Sequence, residues 1–135
     1  MITALYTSVL AFMFLVLSYN VIFMRYKHKI SVGDGGNEEM KKYLQARANF
    51  VDYVPLALVM LLLLESMGTS AVIIHGMGTA IVFSRLLQGW GLSMSSGSSF
   101  GRITGALIMH SVLIVGALGC LSHFILRSGL LYKVF

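Results

Sequence analysis

Residues 45–64 read QARANFVDYVPLALVMLLLL. The second half is unbroken hydrocarbon, suited to the interior of a lipid bilayer. The first half crowds Arg47, Asn49, Asp52 and Pro55 into what become the opening turns of the same helix. Charged groups at that depth cost free energy unless they are paired or have a task. On a helix, Gln45, Asn49 and Asp52 fall at i, i+4 and i+7 and share one face, which Leu56 continues into the apolar part. Arg47 lies about 160° from Asn49 around the helix and points elsewhere, toward lipid phosphates. Two amides and a carboxylate in one column can bind a polar ligand. They can equally make interhelical hydrogen bonds that only fix packing. The spacing does not choose between these.

The rest of the chain defines the solvent. Of 135 residues, 57% are hydrophobic and 11% are charged, against about a quarter charged in soluble domains. Four apolar segments, residues 4–24, 48–67, 71–87 and 103–126, are each long enough to cross about 30 Å of hydrocarbon as a helix. The expected fold is therefore all-α: one domain, residues 1–135, forming an integral membrane four-helix bundle of up-down topology. The first segment has no basic residue before it, exceeds a signal core in length and precedes three more spans, so it reads as a span and not as a cleaved leader.

The net charge of +5 does not imply a nucleic-acid partner, because the basic residues follow the topology. Arg25, Lys27, Lys29, Lys41, Lys42, Arg47, Arg85 and Arg102 belong to one membrane face; only Arg127 and Lys133 belong to the other. The positive-inside rule predicts a cytoplasmic loop at 25–46 and both termini on the opposite side. Within that loop, SVGDGGNEEM sets glycines at a turn, an N-capping Asn37, and Glu38 and Glu39 against the positive end of the helix dipole. No GK[ST] follows the glycines, which excludes a P-loop.

A helix starting at Glu38 is longer than the hydrocarbon is thick, so its first turns project beyond the membrane and the polar cluster of 45–55 sits at the boundary. Pro55 is tolerated there and predicts a kink one turn below. Three spans end in an arginine at this same face: Arg25, Arg85 and Arg102. Singly these are snorkelling side chains; together with Asn49 and Asp52 they suit a zwitterionic anion. His28 reads as solvated, His75 belongs to the opposite end, and His110 and His123 lack partners at metal-ligand spacing. No metal site is expected. The lone Cys120 reads as a buried apolar side chain, and no Ser-His-Asp, Cys-His or paired-acid arrangement is present.

The pattern N-x-x-[DE]-Y-x-P, here Asn49, Asp52, Tyr53 and Pro55, opens the second of four short spans. With RYKHKISVGDGGNEEM before it and SRLLQGWGL closing the third span, it resembles the MAPEG family (membrane-associated proteins in eicosanoid and glutathione metabolism), in its small bacterial inner-membrane branch. The resemblance covers essentially the whole chain. It implies a homotrimer that binds glutathione as co-substrate in clefts between protomers, near the cytoplasmic face. Asn49, Asp52 and Tyr53 would then hold the peptide, with Asp52 in place of the usual Glu and facing the γ-glutamyl ammonium. Arg25 would come from the adjacent subunit, Arg85 matches the family arginine of span three, and Arg102 matches the arginine that stabilises the thiolate. The implied partner is a lipophilic small molecule entering from the membrane lipids, and the implied chemistry is conjugation or hydroperoxide reduction.

Three positions depart from the family. Gln45 stands where relatives carry an arginine, Gln88 where many carry His or Tyr, and Leu92 where an aromatic hydroxyl often sits. These departures keep open a non-catalytic lipid- or ligand-binding protein. A small four-span transporter is a third reading, weakened by the lack of a carboxylate in the first span.

Overall fold

The computed structural model describes residues 1–94 and 100–128, apart from the side chains of 90–94. Four helices follow in order: α1 (Ile2–His28), α2 (Glu38–Ser66), α3 (Ala71–Met94) and α4 (Phe100–Ser128). All four are long and apolar enough to cross a membrane, in agreement with the all-α, four-span expectation. They overrun the predicted spans at most ends because helical hydrogen bonding does not stop at the hydrocarbon boundary. α2, with 29 residues, is about 44 Å long at 1.5 Å per residue. Some 14 Å therefore extends beyond a hydrocarbon layer of about 30 Å. The helix runs on through Pro55 without interruption.

The packing is a rhombus. α2 and α3 touch each other and both remaining helices, whereas α1 and α4 do not touch. Leu10 of α1, Val54 and Leu61 of α2, Ile74 and Ile81 of α3 and Met109 of α4 form the shared core. α3 and α4 meet closely at Gly105, where an added Cβ would lie 2.7 Å from the Ser84 carbonyl oxygen and 2.8 Å from Gln88 Cγ. Gly105 thus lets α3 and α4 approach closely. At Gly76, by contrast, an added Cβ would meet open space.

The two ends of the bundle are fastened differently. At the α1–α2 connection, α1 stops at Lys29, whose φ is 53°. The Asn37 side-chain oxygen accepts from the N–H groups of Glu39 (2.8 Å) and Met40 (3.0 Å), as the sequence predicts. Asn37 Nδ2 donates to His28 Nδ1 at 3.1 Å, and His28 Nε2 donates to Glu39 at 3.1 Å. His28 is thus a structural bridge, not a solvated side chain. Val21, Met24 and Met40 form a small core beneath this turn.

At the opposite end, α1 begins without a capping side chain of its own. Glu65 of α2 supplies one, accepting from the N–H of Ile2 and from that of Thr3 at 2.9 Å. Tyr6 Oη lies 2.9 Å from His75 Nδ1 and 3.1 Å from Thr79 Oγ1, with its ring packed over Gly78. Glu65 thus serves as a helix cap from another helix, because the first N–H groups of α1 need an acceptor.

Candidate functional site

Around α2, the buried residues Phe50, Val54, Ala57, Leu61 and Leu64 mark the direction of the bundle core. At about 100° per residue, Asp52 points roughly 160° away from that direction, and Gln45 and Asn49 lean the same way. Gln45 and Asp52 are exposed and Asn49 is half-buried. The column read from the sequence therefore exists on one face, and that face looks out of the protomer. No salt bridge or side-chain hydrogen bond engages Gln45, Asn49 or Asp52 among the described residues. Packing within the protomer does not consume them.

Tyr53 sits at the inner edge of this face and links it to the core. The Arg85 guanidinium lies over its ring, 5.9 Å from the centroid, and the His110 ring lies 5.3 Å away at 59°. Arg85 is 4% exposed. Its Nη1 donates to the Asn49 carbonyl at 3.1 Å and its Nε to Ser84 Oγ at 3.2 Å, while Nη2 has no acceptor. Arg85 is thus turned inward, anchoring the backbone of α2 directly behind Asn49. Gln88, one turn on, packs against Gly105.

His110 was not among the site residues expected from the sequence, and 57 residues separate it from Tyr53, so no local pattern marks it. Its Nδ1 lies 2.7 Å from the Ala106 carbonyl, which can only accept, so Nδ1 donates this bond.

The remaining predicted residues are dispersed within one protomer. Arg25 donates to the Ser31 carbonyl at 3.2 Å and borders a groove of about 520 Å³ formed by Ile22, Tyr26, Lys29, Ile30 and Ser31. Among the described residues, none of α2, α3 or α4 lines that groove. Arg102 stands half-buried in the first turn of α4. The Leu92 side chain lies outside the described residues. No cluster of three metal-ligating side chains occurs among the described residues.

Four apolar helices with a polar, outward-facing column near one membrane boundary define an integral membrane protein with an interfacial polar site. Residues 3–122 match the MAPEG family, and the chain belongs to that family. It is also 30% identical over 91 residues to the inner membrane protein YecN of Escherichia coli K12, covering 67% of this chain and 70% of that protein. YecN of Escherichia coli O6:H1 matches to the same extent.

Proposed function

We propose that the protein is a membrane-bound glutathione transferase or peroxidase-like enzyme, acting as a homotrimer in a bacterial inner membrane with the 25–46 loop in the cytoplasm and both termini on the periplasmic side. The observation that carries this reading is the outward direction of Gln45, Asn49 and Asp52, which packing inside the protomer leaves unengaged. Membership of the family supplies the ligand class. A peptide with an ammonium, carboxylates and a thiol matches a carboxylate, two amides and nearby arginines.

In this reading Asp52 takes the γ-glutamyl ammonium, while Asn49, Tyr53 and the Gln45 amide hold the peptide. Arg25 serves the cleft of a neighbouring copy, consistent with its place on α1, away from the α2 column of its own protomer. Arg102 stabilises the thiolate. Free thiols ionise near a pKa of about 8.5, and an adjacent cation favours the thiolate at neutral pH. The sulfur lone pair then attacks the electrophilic carbon of a lipophilic substrate, forming the C–S bond as the leaving group departs with its electrons. Arg85 is a positioning residue, since it holds the Asn49 backbone and the Tyr53 ring.

One observation favours a second reading, a ligand-binding protein without turnover. Arg85 and Gln88 are both occupied in packing, and Gln45 carries no charge to clamp a carboxylate. A single experiment separates the two. Purified protein in detergent is assayed for conjugation of a model electrophile at millimolar glutathione, alongside its thermal shift with S-hexylglutathione. Turnover establishes the enzyme, a shift without turnover establishes the binding protein, and neither response refutes both.

A further inference from the structure

Between α1, α2 and α3 lies a groove that adjoins the candidate thiol site and shares Arg85 and Gln88 with it. Its lower part, about 290 Å³, is lined by Met13 and Val16 of α1, Phe50 of α2, and Arg85, Leu86 and Gln88 of α3. Its upper part, about 370 Å³, is lined by Asn20, Lys42 and Tyr43. Leu17, Ala46 and Gly89 border both parts, so the two adjoin. The sequence direction of each helix orders the groove. Its polar end lies toward the α1–α2 connection, and its apolar end runs down α1 into the membrane.

Two cationic groups stand along it at different heights. Lys42 makes no ion pair among the described residues. Glu39 also borders the upper part, but its carboxylate is engaged by His28 at 3.1 Å and Lys27 at 3.5 Å. Roughly two turns of α2 further down, at about 1.5 Å per residue, Arg85 bonds at Asn49. It is 4% exposed, and its Nη2 is buried without an acceptor. A buried donor left unmatched is destabilising until an acceptor arrives. A ligand for this groove therefore needs an anionic group at the top, an oxygen acceptor below it, and an apolar chain beneath both.

We propose that this groove is a binding site for an anionic phospholipid. Its phosphate pairs with Lys42, an ester carbonyl accepts from Arg85, and an acyl chain lies against Met13, Val16 and Phe50. A free fatty acid has one acceptor group and meets only one of the two cationic tiers. Lys42 shares a stripe of α2 with Asn49 at i and i+7, and Arg85 holds the Asn49 backbone, so the two sites adjoin and competition with S-hexylglutathione separates them.

The test is native mass spectrometry of the full-length protein, released from detergent micelles doped equally with phosphatidylglycerol and phosphatidylcholine of the same chains. The wild type is expected to retain phosphatidylglycerol about tenfold in excess, one per chain. Lys42→Gln abolishes the preference, and Leu17→Trp, which fills the neck shared by both parts, abolishes retention. Thermal unfolding verifies that both variants are folded, and Lys42→Gln tests the site even where Leu17→Trp fails to fold. Equal retention of the two lipids by the wild type, or an unchanged preference in Lys42→Gln, overturns the proposal. Displacement of phosphatidylglycerol by equimolar oleate reassigns the groove to a fatty acid and likewise overturns it. Displacement by S-hexylglutathione shows that the groove belongs to the thiol site, with the same consequence. Absence of S-hexylglutathione binding in every protein, with lipid retention intact, sinks the thiol reading alone.

Discussion

Replacing Arg85 with methionine is expected to separate stability from binding. The guanidinium is 4% exposed, with Nε and Nη1 matched to Ser84 Oγ and the Asn49 carbonyl and Nη2 unmatched. Hydrogen bonds from a charged donor contribute about 1.5–3 kcal/mol each, so the substitution removes on the order of 3–6 kcal/mol of favourable contact. Against this stands the desolvation of a charge that forms no ion pair among the described residues, a penalty of several kcal/mol. Methionine keeps much of the aliphatic stem beside Tyr53 and adds no polar group. The terms nearly cancel, and Arg85→Met is expected to unfold within about 2 kcal/mol of the wild type. Binding behaves differently. Asn49 and Tyr53 lose the group that fixes them, and affinity for S-hexylglutathione is expected to fall about tenfold, or 1.4 kcal/mol. Thermal unfolding in detergent and isothermal titration measure the two quantities. A stability loss above about 4 kcal/mol, or unchanged affinity in the folded variant, refutes the reasoning.

Other substitutions probe the remaining contacts. Gly105→Ala drives a methyl toward the Ser84 carbonyl at 2.7 Å and is expected to destabilise by about 1–3 kcal/mol in thermal unfolding. Asn37→Ala removes the acceptor for two N–H groups and is expected to cost about 1 kcal/mol, read as faster amide exchange in the first turn of α2. Asp52→Asn, on the exposed face, is expected to leave stability within about 0.5 kcal/mol. It should weaken S-hexylglutathione while leaving a des-amino analogue unaffected, and equal weakening of both ligands would show that Asp52 does not meet the ammonium.

The span count, the shared face of Gln45, Asn49 and Asp52, and the capping of α2 were all legible in the sequence, because each rests on local periodicity or on a residue acting within one turn; that this face looks out of the protomer was not. Asn37 caps as predicted since an N-cap needs only the next three residues. What was illegible depends on long-range contact. Glu65 caps a helix 63 residues away, and His110 reaches Tyr53 only because α4 packs beside α2. Arg85 is the instructive case. Its position at a membrane boundary predicts a snorkelling or ligand-facing cation, and the structure turns it inward onto a backbone carbonyl. Sequence supplies its height along α3 but not its rotation, which is set by the α3–α4 contact through Gly105 immediately beside Ser84.

That rotation bears on why the site lies where it does. α1 and α4 occupy opposite corners of the rhombus and never meet, so the predicted arginines Arg25 and Arg102 are held on helices that do not touch. In the proposed assembly, a peptide held on α2 at Asn49 and Asp52 would take Arg102 from α4 and Arg25 from a neighbouring copy. The core arranges this by burying one side of α2 and leaving the other polar. A polar column facing hydrocarbon is costly for an isolated protomer, and in the proposed assembly a neighbouring copy would cover it and complete the cation set. Assembly and ligand binding would then share one surface. A charge-reversing Asp52→Lys variant is accordingly expected to lose S-hexylglutathione binding and to shift toward smaller species in detergent sedimentation. A variant that keeps the wild-type mass while losing the ligand would show that the column binds without belonging to an interface.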